Sequence, residues 1–443
     1  MKPPRSLDDW LAYISAQHPS AIALGLERVR EVWGRMTGSS PSPLGEREQK
    51  SPSPLGEGRG GGQGPVVITV GGTNGKGSTC AFLERILLES GYRVGLYTSP
   101  HIERYNERVH VQGEEASDAT LAASFERVEA ARGETPLTYF EYGTLAALAV
   151  FAEASLDVVI LEVGLGGRLD AVNIVDPDAA IVLSVDLDHQ SYLGDTREKI
   201  AFEKAGIFRA GRPAIFADND PPQTLVDHAT AIGADLQLLG RDFRYEAHER
   251  QWDFIGRRGA KRALPMPALR GRWQLKNASA ALAALDELSQ RLPLSLGEIK
   301  RGLTLVRLPG RLQSLPGRPA VILDVAHNPH AARSLADGLG DMGFFENTFA
   351  VFGILDDKDL AGVVEAVRGR IDRWFVAAPQ SERAAAAAKV AEALARQAPG
   401  APVRSFASIA AALAAAREEA GTNDRIVVFG SFYTVAEALR SAR

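Results

Sequence analysis

The chain of 443 residues carries a net charge of −5, with 24% charged side chains and a single cysteine, Cys80. So long a chain exceeds one hydrophobic core and predicts two domains, while its mild acidity gives no basic field for nucleic acid. One cysteine cannot form an intrachain disulfide, no apolar run reaches the ~18 residues of a membrane span, and no apolar leader begins the sequence. A cytoplasmic protein is expected.

In chain order, Ser6 followed by Asp9 signals a helix start, with Leu7, Trp10, Leu11 and Ile14 on one face. Residues 38–64 are dominated by Gly, Pro and Ser and twice contain Ser-Pro-Ser-Pro-Leu-Gly-Glu. Such a segment cannot bury enough apolar area to offset the entropy of ordering it, so a disordered surface insertion is expected. Residues 66–70 read as a buried strand and 78–89 as the helix after it. Further strands are predicted at 94–98, 158–163, 180–185, 214–217, 321–325, 349–352, 374–377 and 425–429. Helices at 142–153, 277–291 and 384–397 separate them. Short apolar strands alternating with helices predict an α/β fold with parallel sheets covered on both faces. Pro309 and Gly310 break the pattern, giving expected domains 1–308 and 309–443.

Between the first buried strand and its helix lies Gly71-Gly72-Thr73-Asn74-Gly75-Lys76-Gly77-Ser78. Glycines let backbone N–H groups converge on phosphate oxygens. Lys76 adds a point charge for the β- and γ-phosphates, and the Ser78 hydroxyl can ligand Mg²⁺. The spacing departs from Walker A, because Gly77 separates the lysine from the hydroxyl. The plain alternative is a bare glycine turn. Nearly every other motif follows directly after a predicted strand, where open α/β sheets bind ligands.

This loop resembles that of the Mur ligase superfamily. From residue 7 to residue 439 the chain resembles the folylpolyglutamate synthase/dihydrofolate synthase family, interrupted only by the 38–64 insert. The blocks that carry the resemblance begin with Leu24-Gly25-Leu26-Glu27-Arg28-Val29, Thr98-Ser99-Pro100-His101 and Leu137-Thr138-Tyr139-Phe140-Glu141. Then come Leu161-Glu162-Val163-Gly164-Leu165-Gly166-Gly167-Arg168-Leu169-Asp170, Leu187-Asp188-His189 and Glu203-Lys204-Ala205-Gly206-Ile207. Asp324-Val325-Ala326-His327-Asn328-Pro329 and Gly430-Ser431-Phe432-Tyr433 complete the set. The resemblance implies an N-terminal P-loop domain of Mur type and a Rossmann-like C-terminal domain. It also implies a monomeric ligase without nucleic-acid or membrane partners, joining L-glutamate to dihydropteroate and to tetrahydrofolates through an acyl phosphate, with ATP and two Mg²⁺ ions.

Residue roles follow from the same resemblance. Thr73, Asn74, Gly75, Lys76, Gly77 and Ser78 bind ATP together with Asn277, Arg311 and Asp324. Ser78, Ser99, Glu162 and His189 hold metal, and Lys204 is a carbamylated lysine. A CO₂ adduct turns that cation into an anion, which suits a neighbouring Mg²⁺. Lys76, Glu162, His189, Lys204 and His327 form the catalytic set, and His327 and Ser431 receive glutamate. Leu24, Gly25, Thr138, Tyr139, Phe140, Glu141, Leu169, Asp170 and Ala171 bind pteroate or folate, under a loop carrying Arg104 and Arg108. Ala23 departs from the family, whose bifunctional members often carry Asp there.

Taken residue by residue, plainer readings stand beside these. Glu162 ends an apolar strand, where a carboxylate has little structural excuse. By contrast, His189 reads as a hydrogen-bonded structural histidine, and Lys204 beside Glu203 as a salt-bridged helix lysine. Asn277 reads as a helix cap, Arg311 as a surface arginine, Asp324 as a strand-end carboxylate, and Tyr139 and Phe140 as core. A cell-wall Mur ligase would need a UDP-sugar domain before the loop, where only 75 residues precede Lys76. A GTPase switch would need Asn-Lys-x-Asp, which is missing. A small-molecule kinase, a synthase of folylpolyglutamate alone and another Mur-type amide ligase remain the alternatives.

Overall fold

The computed structural model describes residues 6–18, 20, 22–38 and 64–442. The expected 38–64 insertion, apart from its two end glycines, therefore lies outside the described residues. Two compact units form, one of Met1–Met266 with Leu275–Val306 and the other of Pro267–Gln274 with Arg307–Arg443.

In the first unit the strands are β1 (Val66–Gly71), β2 (Val94–Tyr97), β3 (Val109–Val111), β4 (Glu114–Glu115), β5 (Val158–Glu162), β6 (Ala179–Val182), β7 (Pro213–Phe216) and β8 (Asp235–Leu238). They form one sheet in the order β4-β3-β2-β5-β1-β6-β7-β8. Pairing is parallel except around β3, which runs antiparallel to β2 and β4. Every residue of β1, β5 and β6 is buried, as expected where helices cover both faces of a parallel sheet. The register pairs Val70 with Glu162, so Glu162 stands beside the end of β1 where the glycine loop begins.

The first helix, Leu7–Ser15, buries Leu7, Trp10 and Ile14, and Ser6 and Asp9 cap it reciprocally at 3.1 Å. A separate antiparallel sheet of β9 (Arg244–Ala247), β10 (Gln251–Gly256) and β11 (Gly259–Pro265) has no counterpart among the predicted elements. Trp252 and Phe254 on β10 are its fully buried anchors.

The second unit holds β12 (Gln313–Leu315), β13 (Ala320–Leu323), β14 (Thr348–Phe352), β15 (Arg373–Val376), β16 (Val403–Ser405) and β17 (Arg425–Phe429). Their order is β12-β13-β17-β14-β15-β16, parallel except β12. Phe352, Trp374 and Phe429 pack ring on ring in its core.

Three expectations change. Tyr139 opens its helix, Tyr139–Glu153, three residues earlier than predicted, because Thr138 caps it. Asn277 lies in the second turn of Trp273–Glu287 and does not head it. Asp324 follows the second strand of its unit, since the hairpin strand β12 precedes β13. Among the described residues no helix is long and apolar enough to cross a membrane.

Candidate active site

The glycine loop leaves β1 and enters the helix Lys76–Glu89. Gly75 is the residue before that helix, with φ of 90°, and an added Cβ would stand 2.5 Å from Asn277 Oδ1. Only glycine fits both the backbone and the close approach. The Asn74 N–H donates to Ser184 Oγ at 3.1 Å and the Thr73 N–H to Ser184 O at 2.8 Å, pinning the loop to the segment after β6. Lys76 Nζ curls back onto Gly72 O at 3.0 Å and Thr73 O at 3.4 Å. Ser78, in the first helical turn, is buried.

Around this loop stand groups from three further strand ends and one helix. Glu162, at the end of β5, is buried and accepts the Ser99 N–H at 3.2 Å, which draws the segment after β2 to it. His189 sits after β6 in the left-handed region, φ 51°, a conformation uncommon for non-glycine residues. Its Nε2 lies 3.9 Å from Asp188 Oδ1. Lys204, near the end of the helix Arg197–Ala205, is 5% exposed. Burial pulls its ammonium down to about 7, and the charge of Lys76 adds to that while Asp188 and Asp170 oppose it. Burial likewise pushes the Asp170 carboxyl up to about 7, against the backbone N–H groups of Leu165, Val172 and Gly164 and the charge of Lys76. Cys80 is a buried thiol raised well above its usual range by desolvation, then by Glu162, which makes it an inert packing residue. Lys76, Glu162, Asp170, Asp188 and Lys204 thus share one electrostatic neighbourhood.

The three acceptor blocks converge. Gly25 N–H donates to Leu169 O at 3.4 Å. Arg28 joins Glu141 through Nη2 at 2.8 Å and Nε at 3.1 Å, while its Nη2 also donates to Ala23 O at 2.8 Å. Through that carbonyl, the backbone of Ala23 still serves the block. Thr138 and Glu141 form the capping box of their helix, with Thr138 N–H on Glu141 Oε2 at 2.8 Å. Phe140 packs 6.0 Å from Tyr97 and against Gly164, and Tyr139 lies edge-on to Tyr105 at 5.9 Å. Tyr139 and Phe140 are only partly buried, and Leu169 is exposed. Asp170 caps the short turn Ala171–Ile174 through Val172 N–H at 3.1 Å.

In the second unit, Asp324 is buried between the N–H groups of Leu312 and Ala326, both at 2.8 Å. Burial raises its carboxyl, and Arg311 pulls the other way. The Arg311 guanidinium lies 5.3 Å from the Phe432 ring, whose centroid is 6.2 Å from that of His327. His327 Nδ1 faces Val325 O at 2.9 Å. Ser431 Oγ accepts the Thr434 N–H at 3.0 Å, opening the helix Phe432–Ala442.

Two family models match the chain: Mur ligase middle domain over residues 70–285 and Mur ligase, glutamate ligase domain over 310–432. The chain is 43% identical to the dihydrofolate synthase/folylpolyglutamate synthase of Escherichia coli (strain K12), over 98% of this chain and 94% of that one. The chain belongs to this family of Mur ligases. The solved Escherichia coli FolC in complex with DHPP and ADP superposes with a TM-score of 0.90, at 43% identity, covering 100% of this chain and 99% of that one. A bifunctional folylpolyglutamate synthase/dihydrofolate synthase with Mn, AMPPNP and L-glutamate bound gives 0.87 at 42% identity, over 100% and 99%. The chain is therefore an ATP-dependent ligase built on the two-part α/β Mur fold.

Within this ligase fold the described geometry gathers Thr73, Asn74, Gly75, Lys76, Ser78, Glu162, Asn277 and Lys204 around one loop, and Leu24–Gly25, 138–141 and 169–171 around another centre. Arg311, Asp324, His327 and Ser431 group within the second unit. Residue reading gave no separate role to His101, Asp188 or Tyr97. His101 and Asp188 had one signal, a titratable side chain a few residues past a strand end.

Proposed function

We propose that the chain joins the amine of L-glutamate to the carboxylate of dihydropteroate and, in a second activity, to that of folates. The observation that carries this reading is the meeting of a phosphate loop, a buried carboxylate and a buried low-pKa lysine with three acceptor blocks at the carboxyl ends of β1, β2, β5 and β6. The acceptor carboxylate attacks the γ-phosphorus of ATP, ADP departs, and an acyl phosphate forms. Glutamate nitrogen then attacks the acyl carbon, and the tetrahedral intermediate expels phosphate. Activation is needed because a carboxylate is a poor acyl donor.

In this scheme Lys76 exchanges its loop carbonyls for phosphate oxygens and follows charge onto the transferring group. Asn277, Arg311 and Asp324 hold the rest of the nucleotide. The donor set for Mg²⁺ fits its chemistry: the Glu162 carboxylate, the Ser78 and Ser99 hydroxyls and the His189 imidazole are few and mostly hard, leaving room for water and phosphate. Among the described residues no three His, Cys, Asp or Glu side chains gather as a protein-only metal cage. Bound there, Mg²⁺ supplies charge neutralisation of the phosphates. Burial lowers Lys204 to about 7, which favours the free amine that captures CO₂ over the ammonium of an ordinary lysine. A carbamate on Lys204 would supply an anion suited to a neighbouring cation.

His327, its ring proton on Nδ1 toward Val325 O, is the residue assigned to meet the incoming glutamate. Ser431 serves the glutamate carboxylates. Tyr139 and Phe140 offer faces to the pterin, and Asp170 accepts from its ring N–H groups. Domains are assigned as ATP and pteroate chemistry in the first unit and glutamate capture in the second. We further propose a cytoplasmic monomer, checked by sedimentation. Labelling the acceptor carboxylate with ¹⁸O tests the route: one label should appear in released phosphate. Phosphate free of label would overturn the acyl phosphate.

A further inference from the structure

The segment from Thr98 to Arg108 is a closed loop between β2 and β3, tied at its base by the Thr98 N–H on Arg108 O at 2.9 Å. One side of the loop carries Ser99, whose N–H reaches Glu162 at 3.2 Å. The other carries Arg108, whose residue surface is only 9% exposed. Its Nε donates to His101 Nδ1 at 2.9 Å. The guanidinium carbon lies 5.2 Å from the Tyr105 ring and 5.4 Å from the Tyr139 ring.

Ring faces attract the charge but accept none of its fork of N–H groups. Among the described residues no carboxylate approaches Arg108 within 4 Å. The similarly buried Arg425 makes a useful contrast, because Thr348 Oγ1 takes its Nε and Leu339 O its Nη1, so its guanidinium is occupied by the fold. In Arg108 only Nε is so engaged. Among the described residues no protein acceptor meets its terminal nitrogens, and 9% of the residue's surface stays open to solvent. A buried cation without an anion is costly to keep, and arginine's planar fork matches a carboxylate.

We propose that Arg108 binds the carboxylate of the acceptor substrate, the group to be phosphorylated, and that His101 is the positioning residue that aims it. The inference rests on the acceptor reading given above. Tyr139 belongs to the acceptor block and Ser99 to the Glu162 edge, so Arg108 stands on the path from pterin to phosphate. Held by one oxygen, the carboxylate keeps the other for attack on phosphorus. Because Arg108 Nε donates to it, His101 Nδ1 carries the lone pair and Nε2 the ring proton, a tautomer that fixes the direction of the Arg108 fork.

The test compares binding of dihydropteroate with that of its carboxamide analogue, measured by calorimetry in the presence of ADP and Mg²⁺. Wild type should prefer the carboxylate by roughly tenfold to a hundredfold, the worth of a charge-assisted pair. Arg108→Gln should bring the two ligands to within about twofold, the carboxamide binding as before, with methylguanidinium restoring part of the preference. Arg108→Lys should keep an intermediate preference and serves where the Gln variant fails to fold. A folded variant, Gln or Lys, that discriminates as well as wild type would overturn the role of Arg108 and leave the ligase reading intact. Wild type that ignores the carboxylate would likewise overturn the role of Arg108, and wild type that binds neither ligand would overturn the acceptor reading.

Discussion

Glu141 and Lys204 are both charged residues almost sealed from water, at 3% and 5% exposure, yet their surroundings differ. Glu141 is matched on every side: Arg28 takes Oε1 at 2.8 Å and the Thr138 N–H takes Oε2 at 2.8 Å. Among the described residues Lys204 has no carboxylate within 4 Å, and burial alone is the largest influence on it. A buried charge with partners holds a fold together, whereas one without them marks where chemistry is set up. Between these extremes stands Asp170, which caps a turn yet has its carboxyl raised to about 7.

The contrast predicts opposite responses to mutation. Lys76→Ala and Lys204→Ala should each lower kcat by about 10²- to 10³-fold, the scale of removing a preorganised charge from a transition state. Melting temperature should hold or rise in Lys204→Ala, and acetate should return part of its activity by replacing the carbamate. A fully active Lys204→Ala enzyme would make this lysine a packing residue and collapse the comparison. Glu141→Gln should act the other way, costing roughly 2 kcal/mol because Arg28, itself about a quarter exposed, loses its carboxylate. Chemical denaturation would measure it, and an unchanged midpoint with lost pteroate binding would move Glu141 from scaffold to ligand.

The pH dependence sharpens the same contrast. Folding lowers the Lys204 value from 10.5 to about 7, so between those limits the unfolded chain binds more protons than the native one. The destabilisation is complete below about 7 and is relieved as pH rises toward 10.5. Activity should fall as pH drops through about 7, where the protonated amine no longer captures CO₂, and added bicarbonate should help most near that point. A rate flat from pH 6 to 8 in CO₂-depleted buffer would contradict this. The smallest effect is expected at Tyr139→Ala, a several-fold rise in KM for dihydropteroate from about 1 kcal/mol of lost stacking, with KM for ATP unchanged. Equal rises in both constants would return Tyr139 to the core.

The sequence made the parallel sheets legible because their strands are apolar runs with at most a charge at one end, as in Val158–Glu162 and Arg425–Phe429. It hid β9 to β11. Those strands alternate buried Trp252 and Phe254 with charged residues, and their two-residue turn is Arg257-Arg258, which lacks the Asn-Gly or Asp-Gly signal of a hairpin. Site residues were legible as blocks, while their partners were not. Nothing in the spacing of Arg28 and Glu141, 113 residues apart, announces an ion pair. The same holds for Asn277 against Gly75, a contact made only once the helix Trp273–Glu287 packs beside the loop.

The central claim is that this phosphate loop drives ligation of glutamate to a pteroate or folate acid. ADP release measured with ATP, Mg²⁺, dihydropteroate and L-glutamate, each omitted in turn, tests it most directly. Sustained turnover should need all four, with one amide product and one free phosphate per ADP. Turnover of GTP without any acceptor, or a stable phosphorylated product formed without glutamate, would contradict it.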